Sequence, residues 1–258
     1  MCLLTYLPAG TVPDLDALRT GAELNPDGHG YAVVAGRELV VGKGLDAEVV
    51  LAEFDAVRRA HPDGPALFHS RLRTHGRLDV DNCHPFVVGG DPRTVIAHNG
   101  ILPAVVRPRR GDPRSDTRIA AEDHPPAAGP LHLRRTRLRL QRWMGPTNLM
   151  VLLTVDRRYR QNAYLFNEAE GTWDHGIWYS NHGYQPLPTR SAATWRCASC
   201  RAPVCEDDLW CPWCEHCWAC GDPPLECDCW TPTTRRAMTA DRDHYDPSLG
   251  ARDLAAPE

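Results

Sequence analysis

The chain has 258 residues, 42% of them hydrophobic and 24% charged, with a formal net charge of −4. That composition is ordinary for a soluble globular protein, and the length fits one large domain or two smaller ones. No window approaches the run of about eighteen apolar residues needed for a membrane-spanning helix. The acidic balance argues against a protein that coats nucleic acid.

The N-terminal Leu3–Leu7 run reads as a short buried strand, and no basic segment precedes it as in a signal peptide, so a cytoplasmic protein is expected. Leu15, Leu18 and Ala22 recur at helical spacing after Pro13. Tyr31–Val34 and Leu39–Val41, separated by Gly36, predict a hairpin. Val50, Leu51, Phe54 and Val57 form one helical stripe, with Asp46 placed as its N-cap. Ala66–Phe68, Val95–Ala97, Met150–Val155 and Ala163–Phe166 read as further strands. Strands on both sides of helical segments predict an α+β layered fold over residues 1–190. A Pro/Arg loop at 107–114 and a Pro-rich spacer at 124–130 interrupt it. The tail 231–258 is polar and without periodicity, which predicts disorder.

Lysine occurs once, as Lys43, in a context that is not a phosphate-cradling loop, and no Gly-x-Gly-x-x-Gly follows a strand. The sequence therefore shows no device for ATP or a dinucleotide. Of 11 cysteines, nine lie between Cys197 and Cys229. In a reducing compartment such crowding predicts metal rather than disulfides.

Cys2 stands apart from that cluster. Removal of Met1 would give Cys2 a free α-amine, and a thiol beside an α-amine is a self-contained nucleophile and base. Downstream come the loop Asn25-Pro26-Asp27-Gly28-His29-Gly30 and the segment His69-Ser70-Arg71-Leu72-Arg73-Thr74-His75-Gly76. Asn82-Cys83-His84-Pro85-Phe86 and His98-Asn99-Gly100 follow.

In order and spacing, over residues 2–180, these motifs resemble the class II glutamine amidotransferase domain, an N-terminal-nucleophile hydrolase. The resemblance implies a four-layer αββα sandwich and a glutaminase in which Cys2 attacks the side-chain amide. Asn99 and Gly100 would then hold the oxyanion, and Arg71 would bind the substrate carboxylate. Thr74 and His75 would line the pocket. Asp116, in Ser115-Asp116-Thr117 at a predicted helix start, would meet the α-ammonium. His84 is expected to be structural and Cys83 a packing residue. The implied partners are glutamine or a related amide and a separate synthetase that takes the ammonia. The chain departs from the family at Leu3, where glycine is usual, and at Arg73, where alanine is usual. These departures keep a second reading open, the hydrolysis of another amide or a small peptide.

Residues 131–144 predict an amphipathic helix with five arginines and no acid, either a solvated basic face or a docking face for an acidic or phosphate-bearing partner. Cys197-x-x-Cys200 with Cys211-x-x-Cys214, and Cys217-x-x-Cys220 with Cys227-x-Cys229, have the spacing of two four-thiolate structural zinc sites within a module at 195–230, the pairs being used either sequentially or cross-braced. Cys205 and His216 are left over as substitute ligands. Between Trp195 and Trp230 there are seven acids, two arginines and five of the 8 tryptophans. That balance favours protein contact over nucleic acid, and a third reading makes the whole chain a non-catalytic scaffold built on this module.

Overall fold

The computed structural model describes residues 2–123, 129–186, 195–204, 210–223, 226, 227 and 229. The chain divides into two compact units, Met1–Leu187 and Pro188–Glu258. The tail expected to be disordered, most of the 124–130 spacer, and Cys205 lie outside the described residues.

The first unit holds two antiparallel sheets. The larger is built from β1 (Leu3–Leu7), β2 (His29–Ala35), β3 (Glu38–Gly44), β4 (Ala66–Ser70), β9 (Thr172–Asp174) and β10 (Ile177–Tyr179), in the order β3-β2-β4-β1-β10-β9. The smaller runs β5-β6-β7-β8, from β5 (Phe86–Val88), β6 (Asp91–Asn99), β7 (Leu149–Thr154) and β8 (Ala163–Phe166). Among the described residues four α-helices accompany them: α1 (Leu15–Leu24), α2 (Ala47–Ala60), α3 (Asp116–Asp123) and α4 (Arg134–Met144). Asp14 caps α1, and the Asp46 carboxylate accepts from the Glu48 and Val49 amides as the predicted cap of α2.

Successive side chains on a strand point to opposite faces, and here both faces are buried, so each central strand is shared between two cores. On the larger sheet Leu3, Leu7, Tyr31, Val33, Ala66 and Phe68 pack with Leu18, Leu51 and Phe54 of α1 and α2. Their neighbours Leu4, Ala32, Leu67 and Trp178 pack instead with Val95, Ala97, Val151 and Leu153 of the smaller sheet. Ile96, Met150 and Leu152 turn the other way, onto Ala120, Ala121, Leu140 and Met144 of α3 and α4. The unit is thus mixed α and β with antiparallel sheets and three apolar cores. No helix among the described residues is long and apolar enough to cross a membrane.

In the second unit, β11 (Trp195–Arg196) pairs with β12 (Pro203–Val204). Cys197, Ala202, Val204 and Cys211 are buried together, with Cys200, Cys214 and Trp218 packed against them.

Candidate functional site

Strand pairing brings distant motifs together. In the β1–β4 ladder Leu3 faces Ser70, so Cys2 meets the chain just beyond β4. There the Leu72 amide donates to the Cys2 Sγ at 3.3 Å, and the thiol reaches the Leu72 carbonyl at 3.5 Å. Burial pushes the Cys2 thiol up; Arg71 lowers it and Asp116 raises it by smaller amounts. A thiol held in its protonated form needs a base before it can attack a carbonyl.

On its other side β1 pairs with β10. Just past β10 the Asn181 amide donates to the Cys2 carbonyl at 2.8 Å, while its own oxygen accepts from the Gly183 amide. The Ser180 amide donates to the Leu4 carbonyl at 2.8 Å, and the Leu4 amide donates to the Ser180 hydroxyl oxygen at 2.9 Å. That same oxygen accepts from Asn99 Nδ2 at 2.9 Å. Asn99 ends β6 of the other sheet, so Ser180 ties the Cys2 strand to the Asn99-Gly100 turn. The Asn99 Oδ1 is buried without a hydrogen-bond partner. Gly100 has φ +135°, and a Cβ there would fall onto the Asn148 side-chain oxygen and lie 3.1 Å from its Cα. Only glycine fits that backbone and that approach.

Arg71 is buried, and its guanidinium donates to the carbonyls of Arg77 at 3.0 Å and His75 at 2.7 Å. The Arg71 carbonyl accepts from the Asp27 amide, and the Arg71 amide donates to the Gly28 carbonyl. The Asp27-Gly28 loop is thereby stitched to the His69–Gly76 segment, and the Asp27 carboxylate accepts from the Arg73 amide at 2.8 Å. Thr74 is exposed. His75 has a buried Nδ1 without a partner. Asp116 is buried at the start of α3; one carboxylate oxygen accepts from the Leu102 amide at 3.0 Å and the other from the Thr117 amide at 2.8 Å. It therefore braces the backbone just after Gly100.

Behind these groups lies a core of imidazoles. His69 Nε2 faces the His98 carbonyl at 3.0 Å, so that nitrogen carries a proton. Its Nδ1 is then an acceptor, and His84, whose Nδ1 lies 3.2 Å away, donates to it. His98 Nε2 donates to the Asn148 side-chain oxygen at 2.9 Å, and its Nδ1 lies 3.0 Å from the Thr117 hydroxyl. Burial pushes His69 down to about 3, and burial holds His84 well below the ordinary histidine value. These rings are neutral supports that bridge the two sheets and α3. The buried Cys83 reaches the carbonyls of Gly44 and Asp79.

The second unit holds two groups of four cysteines, Cys197, Cys200, Cys211 and Cys214, and Cys217, Cys220, Cys227 and Cys229. Within each group the sulfurs all lie within 4.8 Å of one another. The Cys197–Cys214 and Cys200–Cys211 separations of 3.6 and 3.5 Å are far too long for disulfides. Each Cys-x-x-Cys turn closes alike. The Arg201, Glu215 and Gly221 amides donate to the carbonyls of Cys197, Cys211 and Cys217 at 3.0, 2.8 and 2.8 Å. All three closing residues have positive φ, 65°, 59° and 84°. This aims both sulfurs of each turn at one point, and four convergent thiolates suit a tetrahedral metal such as zinc. His216 belongs to neither group; its Nδ1 is turned to the Cys214 carbonyl at 2.6 Å.

Ser180, Asn181 and Asn148 are the site residues that sequence reasoning missed. Tyr-Ser-Asn carries no spacing signal, and its place depends on a three-residue strand paired across the whole unit.

No protein-family model matches the chain, and no curated protein matches it by sequence. Solved structures do. The glutamine phosphoribosylpyrophosphate amidotransferase of B. subtilis, complexed with ADP and GMP, matches at 16% identity and a TM-score of 0.48 over 71% of this chain. The chain spans 42% of that protein's length. A glutamine aminotransferase class-II domain protein of Silicibacter pomeroyi matches at 16% identity and a TM-score of 0.33, over 69% of this chain and 87% of that one.

Proposed function

We propose that the first unit is a glutaminase of the class II amidotransferase kind, a four-layer αββα hydrolase whose nucleophile is Cys2. The observation that carries this reading is the meeting of Cys2 and Asn99 through the Ser180-Asn181 segment. The hydrogen bonds that link Cys2 to Asn181 and Asn99 to Ser180 support this pairing of nucleophile and oxyanion donor. The packing of helices on the outer face of each sheet, and of the two sheets on one another, is compatible with the layered arrangement.

With Met1 removed, the Cys2 α-amine takes the thiol proton and Sγ attacks the amide carbon. The oxyanion forms against Asn99 Nδ2 and the Gly100 amide. Each such donor is worth about 2.7–4 kcal/mol of barrier. Asn99 gives one N–H to Ser180 and retains the other for the oxyanion. The ammonium returns its proton to the leaving nitrogen, ammonia departs, and water hydrolyses the glutamyl thioester to glutamate. Arg71, with donors beyond the two spent on His75 and Arg77, takes the substrate carboxylate, and Asp116 takes the α-ammonium. Thr74 and His75 line the entrance. The ammonia passes to a synthetase partner. The two groups of four cysteines in the second unit would hold two structural zinc ions as thiolates.

Incubation of the mature protein with glutamine, following glutamate release, tests the reading beside Cys2→Ala and N-terminal mass spectrometry. Release that depends on Cys2 and on Met1 removal is expected. Equal release from both proteins, or a retained Met1 in an active preparation, overturns it. Arg73 is exposed within the His69–Gly76 segment. A panel of acyl and γ-glutamyl amides in the same assay therefore measures whether free glutamine is preferred.

A further inference from the structure

Helix α4 carries five arginines for which the described residues supply no ion pair, although Arg142, in the last turn, donates to the Leu138 carbonyl at 3.3 Å. Thr136, Leu140 and Met144 are buried, and Leu140 and Met144 pack on the smaller sheet. Arg137 lies over the Tyr164 ring at 4.0 Å. The remaining arc exposes Arg134, Arg135, Leu138, Arg139 and Arg142. Arg135, Leu138, Arg139 and Arg142 recur at i, i+3, i+4 and i+7, the spacing of a single helical stripe. Residues 131–144 contain no acid.

Three rules of helix electrostatics are broken together. The first turn holds basic residues and no acid, at the end where the helix dipole is positive. Leu133 provides no side-chain cap. Arg135 with Arg139 is a like-charge pair at i, i+4, where opposite charges are favoured. Arg134, Arg135, Arg139 and Arg142 take part in none of the ion pairs among the described residues, whereas Arg114 alone is held by Asp112, Glu122 and Asp123. Arg157 and Arg160, in the β7–β8 turn, are exposed as well. That turn reaches the start of α4, where the His132 and Tyr159 ring centroids are 6.1 Å apart.

We propose that this stripe is a docking surface for an acidic polypeptide segment, a helix of a partner protein that presents carboxylates at i, i+4 around an apolar residue. Arginines one turn apart match carboxylates one turn apart, and each guanidinium can take a carboxylate bidentately. Leu138 is 41% exposed in the middle of the stripe. An apolar contact point flanked by charges suits a polypeptide with its own apolar residue, and a phosphate chain makes no use of it.

The test uses the full chain and a fluorescein-labelled synthetic helix with Glu at i, i+4 flanking leucines, read by fluorescence anisotropy. Its Gln-for-Glu counterpart and inorganic polyphosphate serve as competitors. The acidic peptide should bind in a salt-sensitive way. The triple variant Arg135→Gln, Arg139→Gln, Arg142→Gln should weaken it at least tenfold, and Leu138→Ser several-fold at unchanged charge. Because the like charges are removed, the triple variant should melt at or above the wild-type temperature while keeping amide hydrolysis. Equal peptide binding by the triple variant, or displacement by polyphosphate with no effect of Leu138→Ser, overturns the proposal. So does a clear drop in melting temperature, which would mean that the arginines are already compensated within the chain.

Discussion

Asn99 ends β6 of the smaller sheet and Ser180 follows β10 of the larger, yet the Asn99 side-chain amide donates to the Ser180 hydroxyl oxygen at 2.9 Å. The same oxygen accepts from the Leu4 amide, so both of its lone pairs are used. Ser180 thus fixes the rotation of the Asn99 amide against β1, the strand that follows Cys2. Ser180→Ala should leave Asn99 in place and free to turn. The expected result is a fall in kcat with KM nearly unchanged, smaller than the roughly hundred- to thousand-fold loss expected for Asn99→Ala. Steady-state glutamine hydrolysis measures both. A Ser180→Ala enzyme with wild-type kcat would remove the positioning role.

Gly100→Ala should damage both stability and turnover. The φ of +135° is forbidding for a side chain, and the new methyl would meet the Asn148 oxygen that accepts from His98. Backbone strain of this type costs about 1–3 kcal/mol before any clash is counted. A lowered melting temperature together with a loss of kcat larger than that of Ser180→Ala is expected. Gly36 is the control, since its φ is +65° and nothing lies within 4 Å of its Cβ position. Gly36→Ala should cost stability only.

The parts of the site that could be read in the sequence are those whose chemistry dictates residue type in a fixed order. Cys2, Arg71, Asn99 and Gly100 sit on or beside strands of strong apolar pattern; Cys2 lies against Leu72, next to Arg71, and Asn99 is linked to the strand after Cys2 through Ser180. Asp116 opens a helix as expected, but its carboxylate also braces Leu102, a bond that no local pattern announces. Strands β9 and β10 have three residues each, too few for a period of two to show, and so Ser180 and Asn181 were invisible. Their partners are 176 and 179 residues away. The arginine-rich helix begins at Arg134 rather than at 131, because residues 130–133 form a separate turn in which the Leu133 amide donates to the Pro130 carbonyl at 3.1 Å. The cysteine pairs were legible because a Cys-x-x-Cys turn encodes its geometry locally.

The buried imidazoles set an acid limit on stability. His69 has a folded value near 3 against an unfolded value near 6.5, so below pH 6.5 the unfolded chain binds a proton that the folded chain refuses. Its contribution is complete above about pH 6.5 and is lost progressively as pH falls toward 3; His84, also depressed by burial, adds in the same direction. Urea unfolding at pH 7.5, 6 and 5 should show stability falling across this series. In His69→Gln, which keeps a side-chain donor toward the His98 carbonyl, the protein should be weaker at pH 7.5 but its slope with pH shallower. An unchanged slope would place the acid sensitivity elsewhere.

Metal removal should affect the two cysteine groups unequally. The first group is the core of its unit: Cys197 and Cys211 are fully buried with Ala202 and Val204. In the second group Cys220 and Cys229 are exposed. Backbone bonds join the groups, with the Ala198 amide donating to the Trp218 carbonyl at 2.8 Å and the Cys211 amide to the His216 carbonyl at 2.9 Å. Collapse of the first group therefore removes the support of the second, whereas the reverse loss leaves a packed core behind. Structural zinc sites in small domains carry apparent binding energies of about 10–16 kcal/mol each, so zinc in these two groups would supply the folding energy of the segment. Elemental analysis of the purified protein should give two zinc ions per chain. Cys229→Ser should retain one, and Cys197→Ser should retain neither. The Trp195 and Trp218 rings, 5.7 Å apart, should report the same order in fluorescence during titration with a chelator. Loss of only one ion in Cys197→Ser would show that the two groups fold independently.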